Sequence, residues 1–144
     1  MQSTAHTVAH ATSYADTVTG YCLLFRGEDN KDEAGNFYTR DSNFGLGQMI
    51  GSPVVILHPE LGNGPMEIGN ISMAVADYVG IQVTASLRPV RLLSVALGLI
   101  MMEEFHWAIM NDDMDEIEIG EDGFVIQYPI TGLALMLNPP VTGQ

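Results

Sequence analysis

The apolar pattern of this chain changes period twice, and that constrains its fold more than any other feature. Over 79–87, Val79, Ile81, Val83 and Ala85 alternate with Gly80, Gln82, Thr84 and Ser86. A period of two puts one set on a buried face and the other toward water, as in a half-buried strand. Over 92–102 the pattern becomes nearly continuous. Leu92, Leu93, Ala96, Leu99, Ile100 and Met102 predict a mostly buried helix over 89–105, with Pro89 near its start and Gly98 as its weak point. Residues 106–110 return to an extended pattern, and short apolar runs follow at 124–128 and 133–137.

Upstream of the helix the runs are also short and bounded by turn residues. Strands are predicted at 18–26, 36–40, 53–58 and 66–76, the last forming a pair with 79–87 around Asp77-Tyr78. The charged segment 27–35 ends in Ala-Gly, and Gly62-Asn63-Gly64 is a strong turn signal. Many short strands with one apolar helix predict an α+β, mainly β domain: a small, partly closed β-barrel or curled sheet with one buried helix. At 144 residues the chain suits one domain, expected over 18–140. Residues 1–17, rich in Ser, Thr, Ala and His without periodicity, are expected to form a flexible arm, and 141–144 a tail.

Charge excludes several functions. The net charge is −13, from 18 acidic and 5 basic residues. Such a surface repels phosphate backbones and anionic membranes, so neither nucleic acid nor membrane is expected as a partner. The apolar run near 92–102 is too short for a bilayer span, which takes about 20 residues. The first residues carry neither a basic n-region nor an apolar h-region, so no signal peptide is expected. Cys22 is the single cysteine, which excludes an intrachain disulfide; its apolar surroundings suggest a buried small hydrophobe.

Two segments invite a metal reading, and both fall short. His6 and His10 stand four apart but lack a third ligand. Residues 30–41 mimic a calcium loop, with Gly35 at its sixth place, yet Ala34 occupies a position that normally supplies oxygen. No cofactor or metal is expected. The run 112–122 carries seven carboxylates. It reads as a solvated edge strand around Glu116-Ile117-Glu118-Ile119, as a contact for basic side chains of a partner, or, as the lesser alternative, as a site for a divalent cation.

Several motifs follow one another in a recognisable order. GYCLLFRGEDNKDEAG opens the series as a Gly-Tyr apolar strand and an acidic turn. Phe37-Tyr38-Thr39-Arg40-Asp41-Ser42-Asn43-Phe44 follows, then the Pro-led strand PVVILH, then Ile68-Gly69 and Asp77-Tyr78-Val79-Gly80. Tyr128-Pro129-Ile130, GLALML and Pro139-Pro140 close it. In this order and spacing, across 18–140, the chain resembles the prohead (capsid maturation) proteases of tailed bacteriophages, whose fold is of the assemblin type.

That resemblance implies a catalytic histidine at His58 and a serine in the segment matched by Trp107-Ala108-Ile109-Met110. Neither Ala108 nor Ile109 carries a hydroxyl, and Gly132, where many members place an acidic residue, cannot orient an imidazole. A base without a nucleophile forms no acyl-enzyme, so His58 reads as vestigial. Ser94, expected to be buried in the helix, and Ser72 and Ser86, on strands, are the other hydroxyls weighed. The implied function is a non-catalytic virion or capsid-assembly protein with a cement, decoration or capsid-organising role. Its expected partner is the major capsid protein, with self-association compatible. Its acidity favours the outer capsid surface over one facing DNA. The alternative is an active, divergent prohead serine protease that processes scaffold and capsid precursors.

Overall fold

The computed structural model describes residues 7–12, 16–62, 64–88 and 93–137. In chain order they form β1 (His10–Thr12), β2 (Thr17–Leu24), α1 (Leu46–Met49), β3 (Pro53–Ile56), β4 (Met66–Ala76) and β5 (Gly80–Leu87). Then come α2 (Leu93–Met102), β6 (His106–Met110), β7 (Glu118–Ile119), β8 (Val125–Gln127) and β9 (Gly132–Met136). The domain is α+β and mainly β. Seven strands make one sheet in the order β1-β2-β5-β4-β3-β9-β6, and β7 pairs with β8 in a separate ribbon. Neighbours in the large sheet are antiparallel except β3 and β9, which are parallel.

The sheet curls because extra residues are inserted into it. Register shifts at Tyr21/Leu23, Val54/Val55 and Ile71/Met73 each bend a strand and add twist. The curl carries the edge strand β6 back toward β2, and residues 8–9 bridge the remaining gap. Val8 forms a bridge to His106, and the Ala9 N–H donates to the Phe105 carbonyl at 2.9 Å. One step later, β1 pairs with β2. Gly20 sits at this seam. A Cβ there would stand 2.5 Å from the Val8 carbonyl oxygen and 2.6 Å from Trp107 Nε1, so a side chain would force the seam apart.

Part of the segment 1–17, expected to be a flexible arm, pairs with the sheet. Its described part is built into the sheet, with Thr7 and Ala9 buried and His10 exposed. The buried face consists of threonine and alanine, too weakly apolar to stand out as a periodic pattern. The rest of that arm, and the tail, lie outside the described residues.

The hairpin of β4 and β5 follows the alternation closely. Ile81, Val83 and Ala85 are buried while Gln82 and Ser86 are exposed. Val79, expected inside the strand, belongs to the turn. There the Asp77 carboxylate accepts the Val79 N–H at 2.7 Å and the Gly80 N–H at 3.0 Å. Its other oxygen accepts the Tyr21 hydroxyl at 2.6 Å. The strand expected at 36–40 is reduced to single bridges, Arg26 to Tyr38 and Phe37 to Phe124.

α2 ends at Met102, short of the expected 105, because Phe105 turns away into the core, where it is fully buried. The start expected at 89 lies outside the described residues. Only Ala96 and Ile100, one turn apart, are buried in α2; Val95, Met101 and Met102 are exposed. The helix therefore rests on the sheet along one narrow stripe. The largest fully buried side chains of the core include Trp107, Phe105, Met49, Ile56, Ile71 and Leu133. Each such side chain contributes about 1.5–3 kcal/mol through burial. No helix among the described residues is long and apolar enough to cross a membrane.

Two outcomes follow. Gly20→Val should lower stability by about 2 kcal/mol or more in urea titration, because its side chain has nowhere to go without opening the seam. Gly98→Ala, with open space around its Cβ, should instead raise stability by roughly 0.5–1 kcal/mol. For Asp77, the Tyr21 hydroxyl bond, helped by the N–H groups of the turn, holds the carboxyl below its ordinary range. The contribution of this group to stability is thus present above the ordinary carboxylate range and lost as pH falls through the lowered value. Tyr21→Phe should move the Asp77 titration, followed by carboxyl NMR, back up toward the ordinary value.

Candidate functional site

β3 is a β-branched, Pro-led run with Val54 and Ile56 fully buried between β4 and β9. It stops ahead of Pro59, which has no N–H to offer a ladder. Residues Pro59–Leu61 then turn in a short 3-10 helix, and His58 caps it: the ring Nδ1 accepts the Glu60 N–H at 3.0 Å. On the other side, His58 Nε2 lies 2.7 Å from Glu103 Oε2, just past α2. An Nδ1 that accepts a hydrogen bond leaves the proton on Nε2, so the neutral ring donates to Glu103. The histidine side chain is 7% exposed and that of Glu103 is 41% exposed. The Phe105 ring packs 6.0 Å from the imidazole. The cleft beside it encloses about 490 Å³ and is lined by Leu57, His58, Pro59, Gly62, Met136 and Leu137.

A second pair lies next door. His106, buried at the start of β6, has Nε2 3.3 Å from Glu104 Oε2. Its Nδ1 has no hydrogen-bond partner among the described residues. Consecutive glutamates after α2 thus each meet a histidine, one just past β3 and one at the start of β6. Among the described residues no group of three or more potential ligands is placed to hold a metal ion.

The sheet register sets the other sequence-derived positions apart from His58. Ala108 is opposite Ala134, which is opposite Val55; Ile109 is opposite Leu133, which is opposite Val54. His58 lies three residues beyond Val55, or about 10 Å further along the strand at roughly 3.3 Å per residue. Gly132 pairs with Met110 and abuts the Pro53 carbonyl, at the far end of β3 from His58. The side chain that meets the imidazole is Glu103, which the motif comparison did not single out. The only signal for it in the sequence was its place just after an apolar helix.

The remaining hydroxyls are also distant. Ser94, expected to be buried, is exposed in the first turn of α2. Ser86 pairs with Asn70, which pairs with Pro53, at the opposite end of β3 from the histidine. Ser72 lies two residues further along, donating to the Thr84 carbonyl at 3.1 Å.

Among the metal candidates, His10 is exposed on β1 and His6 lies outside the described residues. In the 30–41 loop, Asp32 Oδ1 accepts the N–H groups of Ala34 and Asn36, so it closes a turn. The acidic run is exposed at each of its carboxylates. It contains a 3-10 turn, Met114–Glu116, and the short strand β7, rather than an edge strand over the whole of 116–119. Cys22 is buried, which pushes its thiol up to about 12.

No family model, curated protein or solved structure matches this chain. The bonding of His58 yields a direct check. His58→Ala should cost about 1–2 kcal/mol in chemical denaturation, because it strips the Glu60 N–H of its acceptor as well as Glu103 of its donor. Glu103→Ala, at a half-exposed site, should cost under about 1 kcal/mol. Ring nitrogen NMR of the wild type should report a proton on Nε2 of His58 and none on Nδ1.

Proposed function

We propose that this protein is a non-catalytic, capsid-associated component of a tailed bacteriophage, built on a fold of the prohead-protease type. Its work is to bind the major capsid protein, in a cement, decoration or capsid-organising role on the outer surface of the virion. One observation carries the non-catalytic half of this reading. Both ring nitrogens of His58 are engaged, by the Glu60 N–H and by Glu103, and no hydroxyl among the described residues hydrogen-bonds the ring. A general base must offer a free nitrogen to a nucleophile within hydrogen-bond reach.

The binding half draws on α2. A helix that is apolar on every side is normally buried, yet Val95, Met101 and Met102 stand exposed here. Apolar surface of this kind favours contact with another macromolecule. The net charge of −13 favours a protein partner over DNA. The capsid as that partner follows from the motif order of the sequence.

The deciding measurement is quantitative mass spectrometry of purified mature particles. A capsid-bound protein persists in many copies; a maturation protease is lost or degraded. The recombinant protein should take no label from fluorophosphonate reagents, and His58→Ala particles should still assemble and process their capsid precursors. Abolished processing in that variant would establish the protease alternative instead.

A further inference from the structure

The two nitrogens of His58 make bonds that differ in what they require of the ring. Nε2 meets Glu103 Oε2 at 2.7 Å, and a carboxylate accepts from this N–H whether the imidazole carries one proton or two. Nδ1 accepts the Glu60 N–H at 3.0 Å and so caps the turn Pro59–Leu61. That cap needs a lone pair on Nδ1, and only the neutral ring has one. A second proton enters at Nδ1, because Nε2 already carries the first. It then points at the Glu60 N–H, donor against donor. The cap is exchanged for repulsion, while the bond to Glu103 becomes charge-assisted and holds the ring where it is.

The ring has little room to turn away. Its side chain is 7% exposed, and the Phe105 ring packs 6.0 Å from it. The turn is the weaker party. Besides the cap, the Leu61 N–H donates to the His58 carbonyl at 2.9 Å, and the Gly62 N–H reaches the Pro59 carbonyl only at 3.5 Å. Pro59 has no N–H to add. Gly62 ends the turn at a φ of 121° with open space around it, a pivot that no side chain restricts. Leu61 is buried, so the motion stays local. Pro59 and Gly62 both line the cleft of about 490 Å³ beside the ring, so a turn that lets go moves one of its walls.

The charged groups around the ring come from few elements. Glu103 follows α2, and Glu60 lies in the turn itself. The connection to β6 brings Glu104 and His106 on either side of Phe105, 3.3 Å from one another. β4 carries Glu67 opposite Val55, paired with Arg88 at 2.6 Å. The end of β9 lines the cleft with Met136 and adds no charge.

We propose that His58 is a proton-operated latch on this cleft: a second proton on the imidazole breaks its bond to the Glu60 N–H, frees the Pro59–Leu61 turn and shifts one wall of the cleft. The latch needs no partner, so it stands or falls apart from the capsid reading.

The test follows the full chain by NMR from about pH 8 to pH 5, the range in which an imidazole changes charge. Ring nitrogen signals report each histidine separately. Amide exchange, corrected for its intrinsic dependence on pH, reports the turn. Protection of the Glu60 N–H should fall about fivefold as His58 gains its second proton, the effect of losing one neutral hydrogen bond. The Gly62 amide should shift along the same curve. His58→Asn supplies an acceptor that suits the start of a helical turn and does not titrate. In that variant the Glu60 N–H should keep its protection at every pH. Glu103→Gln keeps the ring and removes the neighbouring carboxylate, and Glu60 should still follow the ring wherever the ring titrates. The latch is overturned if the ring stays neutral down to about pH 5, or if Glu60 stays protected while His58 is doubly protonated. It is equally overturned if the response tracks His106, survives in His58→Asn, or vanishes in Glu103→Gln while the ring still titrates. The wild-type curves decide the matter even where a variant fails to fold.

Discussion

The seam at which Val8, Gly20 and Trp107 meet is the contact on which the rest of the structure depends. A curled sheet of seven strands has two edges, and an unprotected edge invites other chains. Here residues 8–9 span the gap, joined to β6 by the Val8–His106 bridge, while β1 continues alongside β2. The absence of a side chain at Gly20 lets the Val8 carbonyl and the Trp107 indole approach one backbone position from two elements. Without that approach β6 would be an open edge, and β9 and β3 behind it would lose the cover that keeps Leu133, Leu135, Val54 and Ile56 dry.

The same closure decides what His58 does. β3 lies between β4 and β9, so its C-terminal end is delivered to the place where α2 hands over to β6. The imidazole is then met from one side by Glu103 and from the other by its own turn, at Glu60. A histidine held this way joins two distant segments of chain and caps a 3-10 turn. It serves the fold, and its lone pair is spent on the backbone. Ala108, Ile109 and Gly132 lie on other rungs of the sheet, nearer the start of β3. On β6, two strands over, His106 pairs only with its near neighbour Glu104, a contact within the connection itself.

Surface charge and exposed apolar groups divide the molecule into faces of different chemistry. α2 presents methionine and valine with no charge on the helix itself. The β7–β8 side presents carboxylates around a few isoleucines. The internal cations are held by carbonyls, by Tyr78 and by Glu67. Like charge on every copy discourages self-association through the acidic side.

Local pattern determined much of this architecture. The alternation over 79–87, the turn at Asp77 and Gly80, the β-branched run before Pro59, and the change to a helix all follow from spacings within a few residues, where sterics and burial act locally. The mainly β class, the curled sheet and the burial of Cys22 could be read on that basis. Three things could not. The order of strands places β9 between β3 and β6, and only that order joins His58 to Glu103 across 45 residues of chain. The segment 7–12 enters the sheet through Thr7 and Ala9, whose side chains are too small to mark a strand by themselves and are buried because a gap of matching width exists. The exposure of α2 depends on how much of it the sheet covers, which no periodicity records. Each is a matter of which surfaces meet over long sequence separation, so it is decided when the sheet closes.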